Sequence, residues 1–226
     1  MNIAVLKRVS MLGLAAVALV GCSSASDTEV TDASILRGLF SGKGKQEAPD
    51  AQQIAVQVQT AMAATDAPMM LVAVPNRKAV AVMQQIETNG PYATFGARER
   101  VSMTLRGGMV TATRGFGDDL MSSNVNAALD LVSRRKAGPV TRVQRFLDGE
   151  NQTVELVTNC VVAVGGTSSL EIDGKPRMAQ ALTETCQAQV TQFQNSYQVD
   201  TGTGQILQSR QWIGPLNGHL VMQVLQ

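Results

Sequence analysis

From Met69 to the end of the chain, apolar residues fall at every second position in run after run, and most runs end at turn-forming residues. That pattern admits little but antiparallel sheet. Side chains on a strand alternate between two faces, and Gly-Gly, Asp-Gly or Asn-Gly pairs reverse the chain onto itself. Val101, Met103 and Leu105 alternate with polar partners, and Gly107-Gly108 turns them into Met109–Arg114. Asp148-Gly149 predicts a hairpin between 141–147 and 153–164; Thr201–Gly204 turns the chain into 206–213, and Asn217-Gly218 into 219–225. Met69–Val74 is continuously apolar, as in a strand covered on both faces, and 79–86 follows it as a second strand before the turn at Asn89-Gly90-Pro91. Val154, Leu156, Cys160, Val162 and Val164 are expected on one face of one strand, and Met178, Leu182, Cys186, Ala188 and Val190 on one face of a later one. Beyond Val190 the apolar phase shifts to Phe193, Tyr197 and Val199, which predicts a bulge. No βαβ alternation is present, so the fold class is mainly β, an antiparallel meander with one to three short helices.

The helices are few. Asp50-Ala51-Gln52-Gln53 reads as a capping box, followed at helical spacing by Ile54, Val58, Ala61 and Met62, with Pro68 as the stop. Ile54, Val56 and Val58 would also suit a strand. Residues 123–136 place Val125, Leu129 and Val132 on one helical face, ended by Gly138-Pro139. Ile35, Leu36, Leu39 and Phe40 share a face of a short helix over 33–40, broken by Ser41-Gly42-Lys43-Gly44-Lys45.

Ahead of these lies Leu19-Val20-Gly21-Cys22, preceded by an apolar run (11–20) and by Lys7 and Arg8. It resembles the lipobox of bacterial lipoproteins, in which the signal peptide is cut before the cysteine and the cysteine is acylated, palmitate being among the acyl chains; the alternative is an ordinary secretory signal with an incidental cysteine. The apolar run is too short to span a bilayer. The division that follows is a signal peptide at 1–21, a lipidated N-terminus with short helix and tether at 22–49, and an antiparallel β domain at 50–226. Several acyl chains at Cys22 would anchor the chain almost irreversibly, at about 0.8 kcal/mol per buried methylene. Ser23, where an aspartate commonly retains Gram-negative lipoproteins in the inner membrane, implies transport to the outer membrane and a periplasmic face.

With Cys22 acylated, Cys160 and Cys186 form an even pair in an oxidising compartment, each on an apolar face, which favours a disulfide over two buried free thiols. No CxxC is present, which disfavours redox catalysis.

Charge excludes one class of partner. Lys and Arg number 19 against 18 acids, and loss of Lys7 and Arg8 leaves 17, a mature net charge of −1. Nucleic-acid binding has no electrostatic basis here. His219 is the sole histidine and no G-x-S-x-G elbow exists, so a Ser-His-Asp triad is not indicated. One histidine and two oxidised cysteines do not supply a zinc site, and no phosphate-binding glycine pattern occurs. The expectation is no catalysis, no cofactor and no metal. Arg114 with Asp118 and Asp119, beside Gly115 and Gly117, is a candidate recognition loop, weighed against a structural turn with internal bonding. The methionines that remain after the signal are read as filler of an irregular β core, with a greasy cavity as the minority alternative.

Thr113–Met121, Val199-Asp200-Thr201-Gly202-Thr203-Gly204 and Ser209-Arg210-Gln211-Trp212-Ile213-Gly214-Pro215, with the lipobox, resemble the YjbF/GfcB family of bacterial lipoproteins, tied to exopolysaccharide and group 4 capsule production. The resemblance implies an open or half-closed antiparallel β-barrel, no catalytic residues, and partners that include an outer-membrane barrel protein and periplasmic polysaccharide-export proteins. The function so implied is a lipid-anchored scaffold in exopolysaccharide or capsule assembly or export. The alternatives are a carrier holding a lipid or lipid-linked sugar in an apolar groove, and a polysaccharide hydrolase, which would need convergent carboxylates.

Overall fold

The computed structural model describes residues 50–97 and 100–226. The expected signal peptide, Cys22, the tether and the helix at 33–40 lie outside those residues.

Twelve strands form one antiparallel sheet: β1 (Met69–Val74), β2 (Ala79–Asn89), β3 (Tyr92–Gly96), β4 (Ser102–Arg106), β5 (Met109–Arg114), β6 (Ser122–Asn124), β7 (Gly138–Leu147), β8 (Thr153–Ile172), β9 (Lys175–Gln187), β10 (Gln192–Asp200), β11 (Ile206–Gly214) and β12 (Gly218–Val224). Sequence neighbours pair throughout except β5 with β6, and the first strand pairs with the last, Met70 opposite Val224 and Ala73 opposite Val221. The meander is thereby rolled into a nearly closed barrel with one seam, between β5 and β6.

Two helices complete it, α1 (Ala51–Ala64) and α2 (Asn126–Ser133). Asp50 caps α1, its carboxylate accepting the Gln52 N–H at 3.0 Å, so the helical reading of Ile54 and Val58 prevails over the strand reading. Both pack outside the barrel on Met69, Leu71 and Ala73, while Met70, Val72 and Val74 point into the interior. This explains why every residue of β1 is buried and why its sequence shows no alternation. Helix α2 packs Ala128 and Val132, with Val125, against Met109, Val162, Leu182, Tyr197, Val199 and Ile206. It begins later than the sequence predicts because 122–124 pairs with β7 instead.

Because strands alternate in direction, the connections 75–78, 97–101, 115–121, 148–152, 188–191 and 215–217 gather at one end, the loop end, while α2 and the turns at Gly107-Gly108 and Thr201–Gly204 lie at the other. Gly107 and Gly108 have φ of +55° and +87°, the geometry a two-residue hairpin demands.

Two sequence expectations are corrected. The phase shift near Val190 is not a bulge: β9 stops at Gln187, and a tight turn in which Ala188 N–H donates to Thr191 C=O leads into β10. Ala188 and Val190 therefore lie in the turn and not on the apolar face of β9. Val164 and Met178 are exposed because the β8–β9 hairpin runs on past the start of β7 opposite Val162, and Val154 is exposed at the other end of β8, beyond the end of β9 opposite Asn159; only Thr158, Cys160 and Val162 of that β8 row are fully inside. A register shift between Val164 and Thr167 bends the hairpin, and Ile172 near its tip packs with Ala179 and Leu207. Asp148-Gly149 opens the expected hairpin turn between β7 and β8, a five-residue loop in which the Asp148 carboxylate accepts the N–H groups of Glu150 and Gln152.

Cys160 and Cys186 sit directly opposite one another on β8 and β9 and are joined as a disulfide. The bridge closes a span of 26 residues. Loop-closure entropy then predicts that the double variant Cys160→Ala/Cys186→Ala loses about 3.5 kcal/mol of unfolding free energy, read as a lower urea midpoint with unchanged far-ultraviolet circular dichroism.

Candidate functional site

The seam is where a nearly closed barrel could admit a partner strand, since unpaired edge groups invite pairing. Here the edge is stitched from within the molecule. Asp119 accepts the Thr113 hydroxyl (3.0 Å), the Phe116 N–H (3.0 Å) and the Gly115 N–H (2.9 Å). The Thr113 hydroxyl accepts the Leu120 N–H at 2.9 Å, and the Thr113 N–H donates to the Leu120 C=O at 2.9 Å, joining the end of β5 to the approach to β6. Gly115 and Gly117 adopt φ of +83° and +81°, which lets the loop coil around that carboxylate. Arg114 donates to the carbonyls of Thr113 (2.6 Å) and Leu120 (3.4 Å). Asp118 accepts the Leu216 N–H at 3.2 Å, and its carbonyl accepts the Asn217 side-chain amide at 2.8 Å, fixing the loop before β12. The three candidate recognition residues thus share one loop, and each bonds inward.

Lower on the same edge, Gln211 of β11 reaches across the interior. Its Oε1 accepts the Val110 N–H at 2.9 Å and its Nε2 donates to the Gly108 C=O at 2.8 Å. One side-chain amide stands in for the peptide group of the missing neighbour strand, and Nε2 donates also to Ser209 Oγ at 3.0 Å. No periodicity in the sequence marks Gln211 for this task.

Between the two interior apolar clusters, the inward positions of β6 to β10 turn polar: Ser123, Arg142, Gln144, Thr158, Glu184, Asn195 and Tyr197. Glu184 and Arg142 are 0% and 2% exposed. Glu184 Oε2 accepts from Arg142 (3.0 Å), Asn195 Nδ2 (2.8 Å) and the Tyr197 hydroxyl (2.7 Å). Arg142 donates a second bond to Ser123 Oγ at 2.9 Å, and Asn195 Oδ1 accepts the Trp212 N–H at 2.8 Å. Burial, reinforced by the Glu184 carboxylate, pushes the Tyr197 phenol well above its ordinary pKa, so it stays a donor. Arg142 Nε, Glu184 Oε1 and both amide atoms of Gln144 have no protein partner among the described residues. The signal that could have found this cluster is a charge in an apolar phase: Leu182, Glu184 and Cys186 alternate on one face of β9. Cys160, Cys186 and Glu184 offer ligand atoms within 4.8 Å of one another, but both sulfurs are spent in the disulfide, so the trio cannot bind a metal as thiolates.

Among the described residues His219 bonds no hydroxyl or carboxylate that would make a triad. It bonds the Gln194 C=O at 3.0 Å, a carbonyl that also accepts from Arg210 at 3.4 Å. Burial, with the neighbouring Arg210 charge, lowers its pKa to about 4. The barrel interior is filled by side chains, Met83, Met103, Met109 and Met222 among the fully buried ones. A groove of about 1010 Å³, lined in part by Pro139, Thr141, Asn159, Val161 and Gln187, is open to solvent.

Two outcomes follow from these geometries. Glu184→Leu strands the Arg142 charge and is expected to cost about 3–5 kcal/mol, whereas Glu184→Leu/Arg142→Met recovers most of that loss; urea denaturation of both variants decides it. His219 binds a proton in the unfolded chain near pH 6.5 but in the folded one only near pH 4. Its contribution therefore destabilises the fold progressively as pH falls between those values, and His219→Gln should flatten the melting temperature against pH across that window.

A family model described as group 4 capsule polysaccharide lipoprotein gfcB, YjbF matches residues 35–225. Among solved structures, the crystal structure of the hypothetical lipoprotein YmcC from Escherichia coli (K12) superposes with a TM-score of 0.66 at 17% sequence identity, covering 81% of this chain and 97% of that one. That likeness is one of fold. No curated protein matches the chain.

Proposed function

This chain belongs to the YjbF family of group 4 capsule polysaccharide lipoproteins, and from that membership we propose that it acts as a non-catalytic, membrane-anchored scaffold in the assembly or export of an extracellular polysaccharide. The observation that carries the reading is the family match, which runs through the whole barrel from residue 35 to residue 225. The lipobox at Cys22 supplies the anchor, and Ser23 directs it to the outer membrane with the barrel on the periplasmic side.

A scaffold needs a rigid body and a free surface. The disulfide, the stitched seam and the filled interior supply the first. For the second, α1 covers the outside of β1 and the β8–β9 tip covers Leu207, but the outer face of β7 to β9 has no such cover. Pro139, Thr141 and Val143 lie there beside Val157, Asn159 and Val161, with Thr183 and Thr185 next to them and no charge among them. Val157 and Val161 are both exposed. An outer-membrane barrel protein or a periplasmic export partner would dock on this face rather than on a strand edge, because the described edge groups of β5 at Gly108, Val110 and Thr113 already have partners. The alternative, a carrier for lipid or lipid-linked sugar, would have to use the open groove beside Pro139 and Val161, since side chains occupy the barrel's inside.

Deleting the gene is expected to lower surface polysaccharide without loss of any soluble activity. The wild-type chain should restore it, and Cys22→Ser, which cannot be acylated, should fail to incorporate labelled palmitate and fail to restore it. Normal polysaccharide in the deletion strain would overturn the scaffold. In-cell crosslinking through the β8 face should capture a membrane barrel protein; recovery of lipid alone would favour the carrier.

A further inference from the structure

The sheet has a second edge besides the seam. Strand β8 pairs with β9 as far as Ile172, but with β7 only as far as Val162, opposite Gly138. Residues 163–172 therefore present a bare edge, and all of them except Leu170 and Ile172 are exposed. Two observations fix which groups face outward. The Met178 C=O accepts the Thr201 N–H at 2.9 Å, on the β10 side of β9, so Met178 and its opposite number Ser169 exchange no hydrogen bonds. Pro176, opposite Glu171, has no N–H to give. The alternation of an antiparallel ladder then turns the N–H and C=O groups of Thr167, Ser169 and Glu171 away from β9. Among the described residues no strand or loop backbone bonds them.

Native edges are blunted by lysine, proline, bulges or a covering element. On β8 that protection stops at the register shift between Val164 and Thr167. There Gln180 Nε2 donates to the carbonyls of Gly165 and Gly166, so the irregular part of the edge is satisfied from within. Residues 167–172 beyond it hold no lysine and no proline. Their single charge, Glu171, joins no ion pair among the described residues. Ile172 and Leu170 pack with Ala179 and Leu207, which holds this stretch against the barrel and presents its edge already ordered.

We propose that two copies of the chain join along this edge, β8 against β8 in antiparallel sense, about a two-fold axis at Ser169. A contact of that symmetry needs a surface complementary to itself, and this edge has one. With the axis at Ser169, Thr167 meets Glu171 of the second copy and Ser169 meets Ser169. Every outward residue then finds an outward partner, and about six backbone hydrogen bonds form. The Thr167 hydroxyl donates to the opposing Glu171 carboxylate, and the two serine hydroxyls bond each other. Because Glu171 stands opposite position 167, the two carboxylates are four residues, or about 14 Å, apart along the pair, beyond the screening length of about 8 Å at physiological salt. Moving the axis to Ser168 or Leu170 runs an outward residue into the Gly165-Gly166 bulge or the Asp173-Gly174 turn. A foreign strand meets the same backbone groups, but Thr167 and Ser169 offer no pocket or charge to select one. The contact is short and belongs with weak, reversible interfaces. It stands apart from the scaffold reading and requires neither polysaccharide nor another protein.

The test uses the full acylated chain in detergent micelles. Sedimentation velocity is expected to show a concentration-dependent shift from monomer to dimer. A residue that faces its own copy in a hydrogen-bonded pair has its Cα about 5.5 Å from its counterpart, within disulfide reach. Ser169→Cys should therefore oxidise to a covalent dimer on a non-reducing gel, whereas Glu171→Cys, also exposed, should stay monomeric. Ser169→Pro removes an outward donor without touching the β8–β9 ladder; it is expected to keep the far-ultraviolet circular dichroism and lose the dimer. Ser169→Lys sets like charges opposite each other and gives the same readout if the proline variant does not fold. In cells, a photoreactive residue at position 169 should capture a second copy of this chain. A monomer at every concentration up to the millimolar range, a dimer that persists in whichever of the two variants folds, oxidation as fast through position 171 as through 169, or capture of a different protein would each overturn the proposal.

Discussion

The pairing of β1 with β12 is the contact on which the architecture turns. Without it the strands form two separate meanders, β1–β5 and β6–β12; with it they become one sheet that acquires an inside. Strands separated by nearly the whole domain must meet, which makes this the pairing with the largest loop-closure cost. The chain offsets that cost by burying β1 on both faces, against the barrel interior and against α1. A strand that loses water on both sides stabilises the closure more than a half-exposed strand could. The ring then needs only one break, and the break falls where β6 is three residues long.

The barrel is finished by polar groups rather than by a thirteenth strand. Asp119 and Gln211 satisfy backbone atoms that an open edge would leave bare, and an unpaired buried N–H is costly. Farther in, Glu184 and Arg142 lie in the low-dielectric interior, where the pair survives only because each also takes neutral partners. Wrong register on β9 would place Glu184 on the opposite face and leave Arg142 unpaired. The ion pair and the disulfide two residues away therefore select the same alignment of β8 with β9.

These features describe a shell whose binding potential lies outside it. The family is one of capsule polysaccharide lipoproteins, and the same fold persists in YmcC at 17% identity. At that distance few side chains are shared, while the alternation and the turn positions that build a meander survive substitution.

Local rules settled much of the outline. Alternation and glycine turns specified the antiparallel meander, Asp50 the start of α1, and the apolar phase of Cys160 and Cys186 their meeting on adjacent strands. These are short-range effects, set by side-chain period and by φ values that only certain residues adopt. The short β3 and β6 are not legible because five and three residues carry too little period to recognise, and a tight turn such as β9–β10 shifts the apolar phase just as a bulge does. Asp173-Gly174, with both residues at positive φ, is a hairpin signal of the same local kind. Closure through β1 and β12, the amide of Gln211 at the seam and the charge of Glu184 inside the barrel were decided by tertiary structure alone. Each depends on which distant backbone stands opposite, and burial of a charge is favourable only once its partners from other strands have arrived.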